Sequence, residues 1–208
     1  MRGRKSGAMG RQSGAQAVIL IGFMGAGKSS VGRALGERLG WPFEDLDERI
    51  ERRERRKVGE IFRDSGEPEF RRGEHAALRE LLNELNAGAE RVVALGGGAF
   101  AQQRNARLIK AAGVPTVFLD ASVEELWRRC REQALLHGSE RPLLNRLENF
   151  RDLYEARRPH YLKASWQQET GGKAIEEIVA EVIQALGLGR SDKDRSDKDR
   201  SRERGETR

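Results

Sequence analysis

The segment Gly22-Phe-Met-Gly-Ala-Gly-Lys28-Ser29 has residue types and spacing suited to binding a polyphosphate, and it matches GxxxxGK[ST]. The glycines let the backbone turn tightly, so that successive N–H groups surround the phosphates with no side chain in the way. Lys28 then reaches the terminal phosphates, and Ser29 offers its hydroxyl to Mg²⁺. The motif predicts binding of a nucleoside triphosphate and leaves the phosphoryl acceptor open.

Two acidic residues, Asp45 and Asp47, follow the second apolar run of the chain. In an extended strand both would point to one side, toward the end at which open α/β sheets bind ligands. The alternative is a pair of acids that cap the next helix. Asp120 ends the run Val-Phe-Leu-Asp but leads directly into a helix, so we interpret it as an N-cap or turn residue rather than as a metal ligand.

Further segments carry residues suited to an anionic, hydroxylated molecule. Phe70 and Arg71 follow a turn, and forked Arg side chains bind carboxylates in a bidentate manner. Three consecutive glycines after a strand indicate a backbone that another group approaches closely. The remaining candidates are Gly96, Gly97 and Gly98, Arg141 before Pro-Leu-Leu, and Arg157 in Arg-Arg-Pro-His-Tyr.

These residues need a scaffold, and short apolar runs that alternate with longer amphipathic stretches predict a parallel sheet with crossover helices. Three β-rich runs lack alternation, as expected of strands covered on both faces. A fourth run, 41–47, is a weaker candidate. The clear runs are 17–22, 91–95 and 115–120. The final helix follows residue 173 and ends at Gly187.

The formal net charge of +6 belongs to the two ends of the chain. Residues 1–16 carry four basic side chains and no acidic one, and residues 190–208 carry eight basic and six acidic ones. The region between has 27 side chains of each sign, which argues against a nucleic-acid partner. We expect a disordered basic lead-in over 1–16, one folded domain over 17–189 and a disordered charged tail over 190–208.

A single cysteine, Cys130, excludes an internal disulfide, and there is no Cys/His cluster for zinc. The longest apolar run, 17–24, is far too short to span a bilayer. We therefore expect a cytoplasmic protein without a membrane partner.

In family order, the segments GAGKSS, Asp45-x-Asp47, SGEPEFRR, LGGGA, RPLL and RRPHY closely resemble those of shikimate kinases. The resemblance runs from about Ala17 to Leu186. It implies a three-layer α/β/α P-loop kinase with a central five-stranded parallel sheet in the order 2-3-1-4-5. It also implies a mobile lid at about 128–146.

The resemblance also implies a role for individual residues. The catalytic residues would be Lys28, Asp47 and Arg141, and Arg141 would close over the phosphates. ATP would contact Gly25, Ala26, Gly27, Lys28, Ser29, Ser30 and Arg141. Shikimate would contact Asp47, Arg71, Gly96, Gly97, Gly98 and Arg157, and Phe62 and Phe70 would form a wall beside its ring. Mg²⁺ would be held by Ser29 and, through water, by Asp45. The adenine contacts do not conform to the family pattern, and Arg129 and Lys173 are the candidates.

The expected activity is therefore transfer of the γ-phosphoryl group of ATP to the 3-hydroxyl of shikimate, by a monomer. Two alternatives stay open. One is a kinase for another small hydroxy acid such as gluconate, and the other is a non-catalytic ligand sensor. The residues before the first strand are too few for a helix-turn-helix, which argues against a DNA-binding sensor.

Overall fold

The structure, a computed structural model, describes residues 15–137 and 146–189. A five-stranded sheet runs through the centre in the order β2-β3-β1-β4-β5, and every neighbouring pair is parallel. The strands are β1 (Ala17–Ile21), β2 (Phe43–Asp45), β3 (Arg91–Ala94), β4 (Thr116–Asp120) and β5 (Trp166–Glu169). The predicted fold class and strand order are confirmed.

The described part of the chain also contains seven helices, which connect the strands and cover the sheet. They are α1 (Lys28–Leu39), α2 (Leu46–Glu54), α3 (Val58–Asn86), α4 (Gln103–Ala112), α5 (Val123–His137), α6 (Leu147–Tyr161) and α7 (Ile175–Leu186). Helix α1 packs against α7, and α3 packs against α4. All residues of β1 and β4 are buried, as expected of strands covered on both faces.

The predicted phosphate loop connects β1 to α1. Gly25 and Gly27 have φ of 79° and 86°, in the left-handed region that favours glycine. A β-carbon on Gly25 would also lie 2.6 Å from the carbonyl oxygen of Leu126, at the start of α5. The loop is therefore held against α5 at a position that admits no side chain.

The expectation that Asp45 and Asp47 share a strand is wrong. Strand β2 ends at Asp45, which is the N-cap of α2, and its Oδ1 accepts a hydrogen bond from the Asp47 N–H at 2.9 Å. Asp47 lies in the first turn of that helix. The capping alternative holds for Asp45, because its carboxylate satisfies an N–H group that has no partner within the helix.

Helix α3 bends sharply at Gly66, whose φ of 76° and ψ of 174° are not helical, and Pro68 follows the bend. The bend brings the rings of Phe62 and Phe70 together, with centroids 4.5 Å apart. Phe70 and Arg71 thus lie on the second half of a kinked helix. Among the described residues, no helix is both long and apolar enough to cross a membrane.

Candidate active site

Lys28 lies at the start of α1, under the phosphate loop. Its Nζ donates to the carbonyl oxygens of Gly22 and Phe23, each at 3.0 Å. Burial lowers the pKa of the ammonium group, while the nearby carboxylates of Asp45 and Asp47 act in the opposite direction. The loop thus combines backbone N–H groups, a helix N-terminus and a partly buried cation, which together suit a polyphosphate.

Ser29 and Asp45 face each other at the edge of this loop. Ser29 Oγ donates to Asp45 Oδ2 at 3.4 Å. Hydroxyl and carboxylate oxygens are the donors that Mg²⁺ accepts in proteins, and Mg²⁺ in kinases usually keeps only one or two of them besides water and phosphate. Within 15–137 and 146–189, no group of three or more His, Cys, Asp or Glu side chains could hold a metal ion. Ser29 and Asp45 thus offer oxygens of the kind that Mg²⁺ accepts.

Asp47 lies between the phosphate loop and the three consecutive glycines at 96–98, which we call the glycine segment. Its Oδ1 is buried and has no hydrogen-bond partner in the described structure. Burial, together with the carboxylates of Asp45 and Glu74, raises its pKa from 3.8 to about 6. At neutral pH the carboxylate is still ionised, and it is a stronger base than an ordinary aspartate. This combination suits acceptance of a proton from a bound hydroxyl.

The three glycines follow β3, and two of them make room for functional side chains. A β-carbon on Gly96 would lie 2.6 Å from Asp47 Oδ1, and one on Gly98 would lie 2.8 Å from Arg71 Nη2. A β-carbon at either position would displace the side chain it meets, so the glycines allow the carboxylate and the guanidinium to approach the backbone. The close approach expected from the sequence is present.

Arg71 is fixed by acidic partners on its own helix. Its Nη1 donates to both carboxylate oxygens of Glu74, at 3.0 and 3.1 Å, and its Nη2 donates to Glu67 at 2.9 Å. Glu74 is only 1% exposed, and burial raises its pKa against the lowering effect of Arg71. Neighbouring Arg72 instead pairs with Glu69 at the surface. The guanidinium that faces the glycines is thus that of Arg71.

Arg157 approaches from α6. Its guanidinium carbon lies 5.8 Å from the ring centroid of Phe23, and a β-carbon on Gly97 would be 3.6 Å from its Nη1. The hydroxyl of Tyr161, on the same helix, donates to the Gly97 carbonyl. Arg158 points elsewhere, to Asp120 Oδ2 at 3.0 Å. Arg71 and Arg157 therefore reach the glycine segment from different helices.

Asp120 is a buried structural residue. It is 3% exposed, and its carboxylate accepts hydrogen bonds from Tyr154, Arg158 and Gln167 at 2.9 to 3.0 Å. The predicted cap or turn role is wrong in detail, because Asp120 is the last residue of β4 and its carboxylate bonds to α6 and β5. Ser122 Oγ instead accepts from the Glu125 N–H in the first turn of α5.

A cavity of about 350 Å³ adjoins the phosphate loop on the side of α5 and α7. Its lining includes Ser30, Arg129, Thr170 and Lys173. Arg129 is held by Glu125 at 2.8 Å and by the carbonyl of Thr170 at 2.9 Å, and Lys173 pairs with Glu181 at 2.7 Å. Both predicted base-contacting residues thus lie beside a space next to the phosphate loop.

The structure brings together the predicted residues of the phosphate loop, Asp45, Asp47, the glycine segment, Arg71 and Arg157. Arg141 lies outside the described residues, together with the rest of residues 138–145 of the predicted lid, residues 1–14 of the predicted lead-in and the predicted charged tail.

Sequence reasoning missed the supporting role of Glu74 and the hydrogen bond from Tyr161. The i,i+3 spacing of Arg71 and Glu74 was the available signal for the first. The hydrogen bond from Tyr161 had no signal in the sequence, because Tyr161 and Gly97 are 64 residues apart.

Comparison with known proteins gives a consistent result. A family model described as shikimate kinase matches residues 24–187. A curated shikimate kinase from Cereibacter sphaeroides is 42% identical over 172 residues, which cover 81% of this chain and 81% of that protein.

Solved structures agree with the sequence comparisons. The shikimate kinase of Aquifex aeolicus matches with a TM-score of 0.70 and 36% identity, covering 84% of this chain and 99% of that one. The shikimate kinase of Acinetobacter baumannii, solved in complex with shikimate, matches with a TM-score of 0.68 and 34% identity, covering 82% and 92%.

Proposed function

The chain belongs to the shikimate kinase family, and we propose that it transfers the γ-phosphoryl group of ATP to the 3-hydroxyl of shikimate, a step of aromatic amino-acid biosynthesis. The observation that carries the proposal is the unpartnered, buried Oδ1 of Asp47 between the phosphate loop and the Arg71–Glu74 pair. An acceptor hydroxyl there would lie next to the loop that binds the donor.

The geometry of the phosphate loop supports a role for its residues in binding ATP. The backbone N–H groups of Gly25, Ala26 and Gly27 and the side chains of Lys28, Ser29 and Ser30 bind the phosphates of ATP. Ser29 would hold Mg²⁺ directly and Asp45 through water, and the ion would supply charge neutralisation on the phosphate oxygens.

The acceptor is held at both ends. Arg71 and Arg157 bind the shikimate carboxylate, and Gly96, Gly97 and Gly98 present backbone to the ring substituents. The tilted rings of Phe62 and Phe70 form a wall. In this arrangement the carboxylate sets the position of the 3-hydroxyl relative to Asp47.

In the transfer step, Asp47 accepts the proton of the 3-hydroxyl as its oxygen attacks the γ-phosphorus. The bond between the γ-phosphorus and the bridging oxygen breaks, and ADP leaves with that oxygen. Lys28 and Arg141 stabilise the negative charge that develops. Within this proposal the enzyme acts as a cytoplasmic monomer with no nucleic-acid partner.

The test is Mg²⁺-dependent release of ADP by the purified full-length protein with shikimate, quinate, gluconate or no acceptor. Strong stimulation by shikimate alone supports the proposal. Preference for gluconate would overturn the substrate assignment. Binding of ATP and shikimate without turnover would indicate a ligand sensor instead.

A further inference from the structure

Asn105, near the start of α4, is fully buried, and both the NH₂ group and the carbonyl oxygen of its amide have hydrogen-bond partners. Nδ2 donates to Glu74 Oε2 at 3.3 Å and to the Ala99 carbonyl at 3.1 Å. Oδ1 lies 2.8 Å from His75 Nδ1. The amide thus joins α3 and α4 to the residue that directly follows the glycine segment.

The chemistry of the partners fixes the orientation of this amide. The Ala99 carbonyl can only accept, so the amide must turn its NH₂ group toward it. Oδ1 then faces His75, and Nδ1 of that ring must carry a hydrogen in order to donate. His75 therefore opposes rotation of the amide, since rotation would leave two donors, the Asn105 NH₂ group and the His75 Nδ1–H, facing each other.

The amide reaches the acceptor site through one further residue on each side. On one side Glu74 holds Arg71 Nη1, at 3.0 and 3.1 Å. On the other side Ala99 follows Gly98, which packs directly against the Arg71 guanidinium. A fully satisfied buried polar network of this kind is rigid, and its loss leaves polar groups unpaired.

We propose that Asn105, oriented by His75, is a positioning residue for phosphoryl transfer that sets Arg71 against the glycine segment. The proposal rests on the proposed function, because it takes Arg71 to bind the acceptor carboxylate. Asn105 itself touches no reacting atom. Its effect is therefore on binding of the carboxylate and not on the chemical step.

The experiment compares Asn105→Leu and His75→Phe with the wild-type protein, using initial rates with either shikimate or ATP varied. Asn105→Leu keeps a similar volume and removes all three hydrogen bonds. We expect KM for shikimate to rise about 10-fold, and kcat and KM for ATP to change less than about 2-fold. His75→Phe is expected to raise KM for shikimate about 3-fold by the same route.

Thr116→Val is the matched control. Thr116 is buried at the start of β4, and its hydroxyl bonds to the hydroxyl and accepts from the backbone N–H of Ser165, just before β5. Loss of the Thr116 hydroxyl removes these hydrogen bonds and changes no contact of α3 or the glycine segment. We expect lower thermal stability with unchanged KM for shikimate.

A neutral acceptor, the methyl ester of shikimate, separates positioning from general damage. With the ester, Asn105→Leu should lose no more than about 2-fold relative to wild type, because the ester lacks the charge that Arg71 binds. Equal losses with shikimate and the ester would overturn the proposal.

An unchanged KM for shikimate in the folded variants would also overturn the inference. If Asn105→Leu does not fold, His75→Phe decides alone. Wild-type protein that does not phosphorylate shikimate would instead refute the proposed function, and the two failures are thereby distinguished.

Discussion

The carboxyl group of Asp47 lies where a side chain on residue 96 would begin: a β-carbon on Gly96 would be 2.6 Å from Asp47 Oδ1. The same oxygen is buried and has no hydrogen-bond partner in the described structure. Glycine at this position therefore lets the acid reach the backbone with one oxygen still available to a hydroxyl.

Replacing Asp47 by Asn should lower turnover about 100-fold or more, because the amide cannot accept the hydroxyl proton. Affinity for ATP should stay near the wild-type value. Steady-state rates and ATP titration check this. Glu48→Gln, which neutralises the exposed neighbour that pairs with Arg33, is the control. Near-normal turnover in Asp47→Asn would exclude a role as base.

The same substitution should stabilise the protein at neutral pH. The folded-state pKa of Asp47 is raised from 3.8 to about 6, so the unfolded chain releases this proton at lower pH than the folded chain does. Stability is consequently lost as pH rises through this interval, by up to about 3 kcal/mol. Urea unfolding should show that the free energy of unfolding of Asp47→Asn increases relative to that of the wild-type protein between about pH 4 and pH 7. A constant difference would contradict the raised pKa.

Gly98→Ala should raise KM for shikimate about 10-fold or more, since the added β-carbon would be 2.8 Å from Arg71 Nη2 and must displace it. Gly59→Ala is the matched control, because nothing lies within 4 Å of a β-carbon there. Gly59 lies in the first turn of α3, where alanine is favoured over glycine. Kinetics with varied shikimate distinguish the two, and equal KM values would refute the close approach.

Lys28→Ala should abolish phosphoryl transfer without unfolding the protein. Burial lowers the pKa of this ammonium group, so keeping it charged opposes folding and its removal relieves that cost. Activity and thermal melting are measured beside Lys110→Ala, an exposed lysine on α4. An active Lys28→Ala protein would show that the phosphate loop is misassigned.

Asp120→Asn should lower the free energy of unfolding by about 2 kcal/mol, because it weakens the hydrogen bonds from Tyr154 and Arg158. KM for ATP and Mg²⁺ dependence should stay unchanged if Asp120 is structural. Chemical denaturation and Mg²⁺ titration of the rate test both parts. A shifted Mg²⁺ requirement would make Asp120 part of the metal site.

Much of the fold was predictable because its signals are local. The run Ala17–Ile21 consists of apolar residues, mostly β-branched or leucine, and the glycines and Lys28 follow it at fixed spacing. The final helix shows helical periodicity and ends at Gly187, whose φ is 61°. In each case a few neighbouring residues carry the information.

Other features depend on contacts between distant residues. Strand β5 has the sequence Trp-Gln-Gln-Glu, and three of its four residues are exposed, so no apolar run marks it. It is a strand because it pairs with β4. Asp47 lies on α2 because the Asp45 side chain caps that helix, a choice that two acids spaced by one residue do not reveal.

The position of β1 in the middle of the sheet has a consequence for folding during translation of the chain. Its neighbours, β3 and β4, begin at residues 91 and 116, so the nascent chain must extend past residue 120 before β1 has both. Gly22 at the start of the phosphate loop then packs against the Leu119 carbonyl. The nucleotide-binding segment is therefore translated early but acquires its neighbouring strands late. Until β3 and β4 have been translated, the apolar strand β1 is exposed to chaperones and to aggregation.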